Sequence, residues 1–284
     1  MRHAWRRAPH MVAKSILSKT AGFIAEAGFT HSLTPARNCT FGCTYCYVPT
    51  LGVYGGLKPE DWKRWGQFTT YKSNAAELLR RELRPSQSIY CSPLVDPYQP
   101  AEAVEQMMPR ILDALLEAPP RVFTIQTRGP LILRDLDLLR ALSMRTTLRV
   151  SFSITTNRED IRRLYEPHCA GFEERLDTVR ALRDAGVETY ATLAPLLPCD
   201  PEELARAALD ATHRDLIGDP LHIRSTKRHG ATTREAAFKI SSEHHHDCLD
   251  AASQARVVEQ IDCIAREAGF TFTTGPRGFA RLAL

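Results

Sequence analysis

Nowhere does this chain run to the roughly 18 consecutive apolar residues that a bilayer-spanning helix needs, so no membrane span is expected. The N-terminal stretch MRHAWRRAPHMVAKSIL is basic, but it has neither an apolar h-region nor a small-residue cleavage site, and it does not read as a secretory signal. The expected compartment is the cytoplasm, where thiols stay reduced. Cysteine is too sparse for a disulfide scaffold: eight in 284 residues, scattered apart from one cluster. No second C-x₂-C and no H-x₃₋₅-H stands at a distance that would complete a structural zinc site. The ferredoxin pattern, with its fourth cysteine followed by proline, is missing as well. Internal repeats and low-complexity tracts are lacking. The excess of one charge sign is also small: a net +4 is compatible with an anionic substrate without demanding one. No linker divides the chain. A single domain over 1–284 is expected, with a core at about 28–225, a basic N-terminal extension and a helical or irregular C-terminal one.

What the sequence does have is an alternation of two periods. Runs rich in Val, Ile, Thr and aromatics predict strands at 31–34, 88–92, 121–127, 147–155, 187–197 and 220–224. Between them, helices are predicted over 74–83, from Pro109 onward, and over 131–142, 171–185, 201–212 and 253–268. Asn74 followed by Glu77 reads as a capping-box start. Ile111, Leu112, Leu115 and Leu116 form one apolar helical face. Six such strand–helix units predict a parallel sheet, barrel or open. Residues 225–250 are the least regular and read as a long functional loop.

The chemistry concentrates in CTFGCTYCY, residues 39–47, where Cys39, Cys43 and Cys46 follow a C-x₃-C-x₂-C spacing. Three thiolates on one tight loop can hold three irons of a cubane [4Fe–4S] cluster and leave the fourth without a protein ligand, an open and therefore catalytic position. Gly42 would let backbone approach the cluster, and Tyr45 can lay its ring against a planar cofactor.

This triplet, with an aromatic before its last cysteine, resembles the radical S-adenosylmethionine (SAM) superfamily. THSLTPARNCTFGCTYCYVP, CSPLVDPYQPAE, TRGPLILRDLDLL, VSFSITTN, Glu166-Pro167 with Arg175, and APLLP are similar to the spore photoproduct lyase-like branch over about residues 15–200. The resemblance implies a partial (β/α)₆ TIM-like barrel with the cluster loop after the first strand. It implies Cys39, Cys43 and Cys46 as cluster ligands, and SAM chelated at the open iron. It also implies Arg128 at the SAM carboxylate in place of a more usual lysine, Ser153 touching SAM, and backbone at Ala194 meeting adenine. Glu166 and Arg175 match a charged pair of the family motif, either buried over the SAM site or exposed at a helix end. Cys91 matches a hydrogen-atom donor of spore photoproduct lyase, the alternative being a small buried strand cysteine. Asp96, Tyr98 and Gln99 are candidates for the substrate side.

The implied activity is reductive cleavage of SAM to a 5′-deoxyadenosyl radical that takes hydrogen from a substrate, with flavodoxin or ferredoxin as electron donor. Lesion repair in DNA is one alternative. A non-catalytic iron–sulfur or zinc protein is another, and the SAM-side residues speak against it. Arg2, Arg6, Arg7, Lys14, Arg224, Lys227, Arg228, Arg234 and Lys239 would form a basic surface for nucleic acid, or simply keep the chain soluble. His244, His245 and His246 read as a solvated run, because three adjacent histidines cannot all face one metal. Cys169, Cys199, Cys248 and Cys263 show no ligand spacing.

Overall fold

A computed structural model describes residues 8–51, 64–222, 226–227, 230–231 and 234–284. Arg2, Arg6, Arg7, Arg224 and Arg228 lie outside these residues, and the Lys227 side chain is likewise not described.

Seven parallel strands form the body of one sheet: β1 (His31–Leu33), β2 (Ser88–Cys91), β3 (Val122–Thr127), β4 (Thr147–Ser153), β5 (Glu188–Leu196), β6 (Leu216–Pro220) and β7 (Phe272–Thr274). They lie side by side in chain order, and Leu17–Lys19 adds an antiparallel edge strand beside β1. The strands are linked through α1 (Ala75–Glu82), α2 (Met107–Glu117), α3 (Leu136–Ser143), α4 (Glu159–Tyr165), α5 (Phe172–Asp184) and α6 (Pro201–Thr212), and the chain continues through α7 (Glu235–His244) and α8 (Ala251–Glu267). Strand alternating with helix, all parallel, is the partial TIM-like barrel, carrying one short parallel strand more than six units require.

The two faces of the sheet bury different chemistry. Paired residues share a face, so register assigns each side chain. Ile89, Phe123, Ile125, Phe152, Ala191 and Leu193 are fully buried in the main core with Ile111, Leu112 and Leu115 of α2. Truncating Phe123 or Phe152 to alanine would cost about 3–5 kcal/mol. The opposite, inner face is polar in its middle. Gln126 Oε1 accepts from Tyr90 Oη at 2.5 Å and from Ser151 Oγ at 2.8 Å. Ser151 pairs with Thr192 at 2.5 Å, and Gln126 Nε2 donates to Ser153 Oγ at 2.7 Å. Below this network, at the N-terminal ends of the strands, Phe279, Leu282 and Ala283 pack with Tyr90, Tyr190 and Ile217. The Thr124 hydroxyl donates to the Leu282 carbonyl at 2.6 Å, so the last turn of the chain floors the barrel.

Three local expectations change. Asn74 precedes α1, yet its side chain does not cap it: Oδ1 accepts from Ala13 N and Nδ2 donates to Ala13 O, both at 2.9 Å, which ties the N-terminal segment to the helix. The sixth strand is Leu216–Pro220, not 220–224. Gly218 in this strand is a packing glycine: a Cβ there would come within 2.4 Å of the Phe272 ring. Within 225–250, described residues include a hairpin pair at 226–227 and 230–231 and a ten-residue helix, α7, so the segment is more regular than its composition suggested. The expectation for α6 coincides with Pro201–Thr212, whose N-cap Asp200 accepts from the backbone of Glu202 and Glu203 at 3.0 Å.

Candidate active site

The cysteine loop leaves the C-terminal end of β1, the end at which a barrel of this kind gathers its chemistry. Cys39 and Cys43 are buried, Cys46 is half-buried, and all three are free thiols. The loop turns tightly enough for Cys46 N to donate to Cys43 O at 3.2 Å. Gly42 sits at φ +65°, and a Cβ there would meet Gly66 Cα at 3.0 Å and the His168 ring at 3.3 Å. Glycine is therefore required at 42 by two crossing backbones. Gln99, fully buried, ties the start of the loop down: Oε1 accepts from Thr40 N at 2.8 Å and Thr40 Oγ1 at 3.1 Å.

Burial pushes the Cys39 thiol well up and the Cys46 thiol up to about 12. The Cys43 thiol instead moves down, first through its contact with Cys169 and then through the Arg128 charge, against the upward push of burial. Cys39, Cys43 and Cys46 share one tight loop, and the positive charge of Arg128 and Arg234 reaches Cys43 and Cys46. A cationic metal centre that takes thiolates satisfies the set, so the residues fit an iron–sulfur cluster.

Beside this loop stands a buried ionic network. Glu166 is fully buried. Its Oε1 accepts from Tyr45 Oη at 2.5 Å, from Thr155 Oγ1 at 2.9 Å and from Arg128 Nη1, while Oε2 accepts from Arg175 Nη2. Arg128 Nη1 also donates to the Tyr45 hydroxyl, and its guanidinium lies 5.7 Å from the centre of that ring. Burial alone would raise the Glu166 carboxyl, but the Arg175 and Arg128 guanidiniums outweigh it and hold the group down at about 2. Of the two readings of the Glu166–Arg175 pair, the structure has the buried one: Arg175 is 2 % exposed. Its Nη1 also donates to Ser153 O at 3.4 Å, so Ser153 and Arg175 belong to one neighbourhood. Ala194 lies on the inner face of β5, two residues beyond Thr192.

The strap after β2 positions Arg128. Asp96 accepts from Tyr98 N at 2.9 Å, Thr127 Oγ1 at 2.6 Å and Arg128 N at 2.9 Å. Gly129 follows, and a Cβ on it would stand 2.3 Å from Tyr98 O. Cys91 ends β2 in register with Leu33 and Ile125 and shares their face, opposite Tyr90. It is fully buried, and burial followed by the nearby Asp96 charge raises its thiol. The hydroxyl of its neighbour Ser92 is buried without a hydrogen-bond partner.

Two residues not singled out by spacing join the site. Cys169 Sγ lies 3.9 Å from Cys43 Sγ, and Cys43, Cys169 and Glu166 bring ligand-type atoms within 4.8 Å of one another. The Glu166 oxygens are already taken by four donors, so it is no ligand. The signal for Cys169 was its place three residues after Glu166, on the same turn. Arg234, expected on a basic surface, is half-buried and donates to Cys43 O at 3.5 Å. Nothing in its irregular surroundings announced that. His244 is exposed beside Glu243 at 3.9 Å, and His245 lies near the Tyr165 ring. A cavity of about 300 Å³ is lined by Phe41, Tyr98, Leu131, His168 and Cys169. A larger groove of about 650 Å³ over α8, β6 and β7 touches neither the cysteine loop nor the Glu166 network.

Among described residues no helix is long and apolar enough to cross a membrane. An uncharacterised protein of Mycobacterium tuberculosis is 30% identical over 192 residues, 66% of this chain and 55% of its own length. One from Methanocaldococcus jannaschii is 26% identical over 160 residues, 56% of this chain and 58% of its own. The chain thus spans little more than half the length of these relatives. Spore photoproduct lyase complexed with dinucleoside spore photoproduct has a similar fold, with a TM-score of 0.58 and 16% identity over 89% of this chain and 78% of that one. SuiB of Streptococcus suis bound to S-adenosylmethionine gives 0.51 and 13% over 86% and 49%. The radical SAM superfamily model matches residues 33–211, which run from the end of β1 into α6 and include every residue of the network. The chain belongs to the radical SAM superfamily, and its cofactors are that family's [4Fe–4S] cluster and SAM.

Proposed function

We propose that the chain is a radical SAM enzyme that removes a hydrogen atom from a substrate held at the C-terminal mouth of the barrel. The observation that carries this reading is the Tyr45–Arg128–Glu166–Arg175 network. It joins the cluster loop, the end of β3, the Glu166 turn and α5 at one buried point, an arrangement that a simple electron carrier has no use for. When bound, the reduced cluster and SAM together supply a 5′-deoxyadenosyl radical.

The residues divide the work. Cys39, Cys43 and Cys46 hold the cluster and leave one iron to SAM. Arg128 offers a planar guanidinium to the SAM carboxylate. Its position is fixed by Asp96 at the backbone and by Tyr45 and Glu166 at the side chain. The Ser153 oxygen accepts from Gln126, which leaves the Ser153 proton free to donate to SAM. Ala194 presents backbone toward the adenine. Glu166 and Arg175 lock the loop beneath. On the substrate side, the strap of Asp96, Tyr98 and Gln99 fixes both Arg128 and the cluster loop. A low-potential reductant is required, of the ferredoxin or flavodoxin kind.

A second reading is repair of a thymine-dimer lesion, with Cys91 giving its S–H hydrogen to a substrate carbon radical and keeping a thiyl radical. The likeness in fold to spore photoproduct lyase and the place of Cys91 at the end of β2 support it. The face that Cys91 shares with Leu33 and Ile125 weighs toward the first reading.

Anaerobic reconstitution, followed by dithionite and SAM, tests the proposal. About four irons per chain and release of 5′-deoxyadenosine are expected; absence of either rules it out. Deuterium transfer into 5′-deoxyadenosine from labelled candidates, a dinucleoside lesion among them, then sorts the substrates.

A further inference from the structure

Cys169 is a buried thiol that the mechanism above does not use. Its sulfur touches that of Cys43 at 3.9 Å. The contact is held from both sides. Thr44 N and Thr44 Oγ1 both donate to Tyr165 O, at 2.9 and 3.2 Å, which clamps the cluster loop to the end of α4. Cys169 N donates to Glu166 O at 3.1 Å, and Arg162 Nη1 donates to Cys169 O at 2.9 Å. Gly42 packs on His168, one residue away. The 165–169 turn and the cluster loop are therefore one unit, and the sulfur–sulfur contact is a property of that unit.

We infer that the Cys169 thiol donates an S–H hydrogen bond to the Cys43 sulfur and thereby sets the reduction potential of the cluster bound there. This rests on the reading that Cys43 is a cluster ligand. A thiolate bonded to iron has no proton, so only Cys169 can be the donor across this contact. Thiolates on separate irons of one cubane are held apart by the cluster between them, whereas these two sulfurs touch. Cys169 therefore acts on the ligand and does not serve as one.

An S–H donor is weak in water, but a buried hydrogen bond to a charged acceptor is strengthened by the low local dielectric. It withdraws electron density from the ligand sulfur, which favours the electron-rich state when the cluster takes one electron from its reductant. Hydrogen bonds to cluster sulfurs tune potential in this way. Cys169 is thus a positioning and tuning residue, and its effect is carried entirely by the Cys43 sulfur.

The test compares the reconstituted full chain with its Cys169→Ala, Cys169→Ser and Cys43→Ala variants. Iron content, the electron paramagnetic resonance spectrum of the reduced cluster without SAM, and a mediated redox titration are the readouts. Cys169→Ala should keep about four irons. Its one-electron reduction equilibrium should be about tenfold less favourable, a midpoint about 59 mV more negative. Its reduced-state spectrum should shift, and Cys169→Ser, which restores a donor, should recover part of both changes. Potentials and spectra equal to the parent in both variants would overturn the inference. So would a Cys169→Ala chain that is folded by circular dichroism yet lacks iron, since Cys169 would then be a ligand. A full cluster in Cys43→Ala would instead remove the underlying assignment, which keeps the two failures apart.

Discussion

The Tyr45 hydroxyl donates to Glu166 Oε1 at 2.5 Å, although the two residues are 121 positions apart in sequence. This contact fastens the cysteine loop to the arginine pair, and its partners are unequal in what they leave behind. Tyr45→Phe removes one donor from a carboxylate that keeps two guanidiniums, and should cost about 1–2 kcal/mol in denaturant unfolding of the cluster-free chain. Glu166→Gln strands Arg128 and Arg175 without a counter-charge and should cost about 3–5 kcal/mol. Equal midpoints for the two variants would refute this ordering.

Acid should loosen the same network. The folded Glu166 carboxyl sits at about 2, below its ordinary value of 4.5. A depressed value means stabilisation fully present above 4.5 and lost as pH falls from there toward 2, worth about 3 kcal/mol in all. Denaturant midpoints at pH 6 and pH 3 should therefore differ less in Glu166→Gln than in the parent.

Gly129 separates Arg128 from Pro130 under the Tyr98 carbonyl, 2.3 Å from where a Cβ would be. Gly129→Ala must push the strap away from β3, and overpacking of this kind costs about 1–3 kcal/mol. Because Asp96 on the displaced strap holds the Arg128 backbone, weaker SAM binding by equilibrium dialysis should accompany the lost stability. Unchanged SAM affinity would mean that Arg128 is not set by this contact.

Cys91→Ala should leave SAM cleavage by the reduced cluster intact, since the side chain lies on the helix-packed face with Leu33 and Ile125. A stability cost of about 1 kcal/mol is expected from the lost sulfur. Stalled or diverted product with unimpaired 5′-deoxyadenosine formation would favour the hydrogen-donor role instead.

Much of this was legible where period and chemistry coincide. Strands β2 to β5 announced themselves through runs of β-branched and aromatic residues, because buried parallel strands are apolar on the helix side along their whole length. The cysteine loop was legible because its spacing has few physical uses. What the sequence hid depends on contacts between distant segments. Asn74 looks like a cap and instead binds Ala13, a partner that local pattern cannot supply. Leu216–Pro220 was obscured by a glycine whose purpose is to admit Phe272. Cys169 is a lone cysteine until the Glu166 turn is laid against Cys43. The polar hub at Gln126 is a single letter among β-forming residues, and its three partners come from β2 and β4.

The Thr124–Leu282 bond at the base of the barrel has a consequence for traffic. With Phe279, Leu282 and Ala283 packed against Tyr90, Tyr190 and Ile217, the described residues close the base of the inner polar ladder. Under the proposed function, a closed base turns both substrate and spent nucleoside toward the cysteine rim. A nucleoside left over the loop would then compete with the next substrate for that side of the barrel.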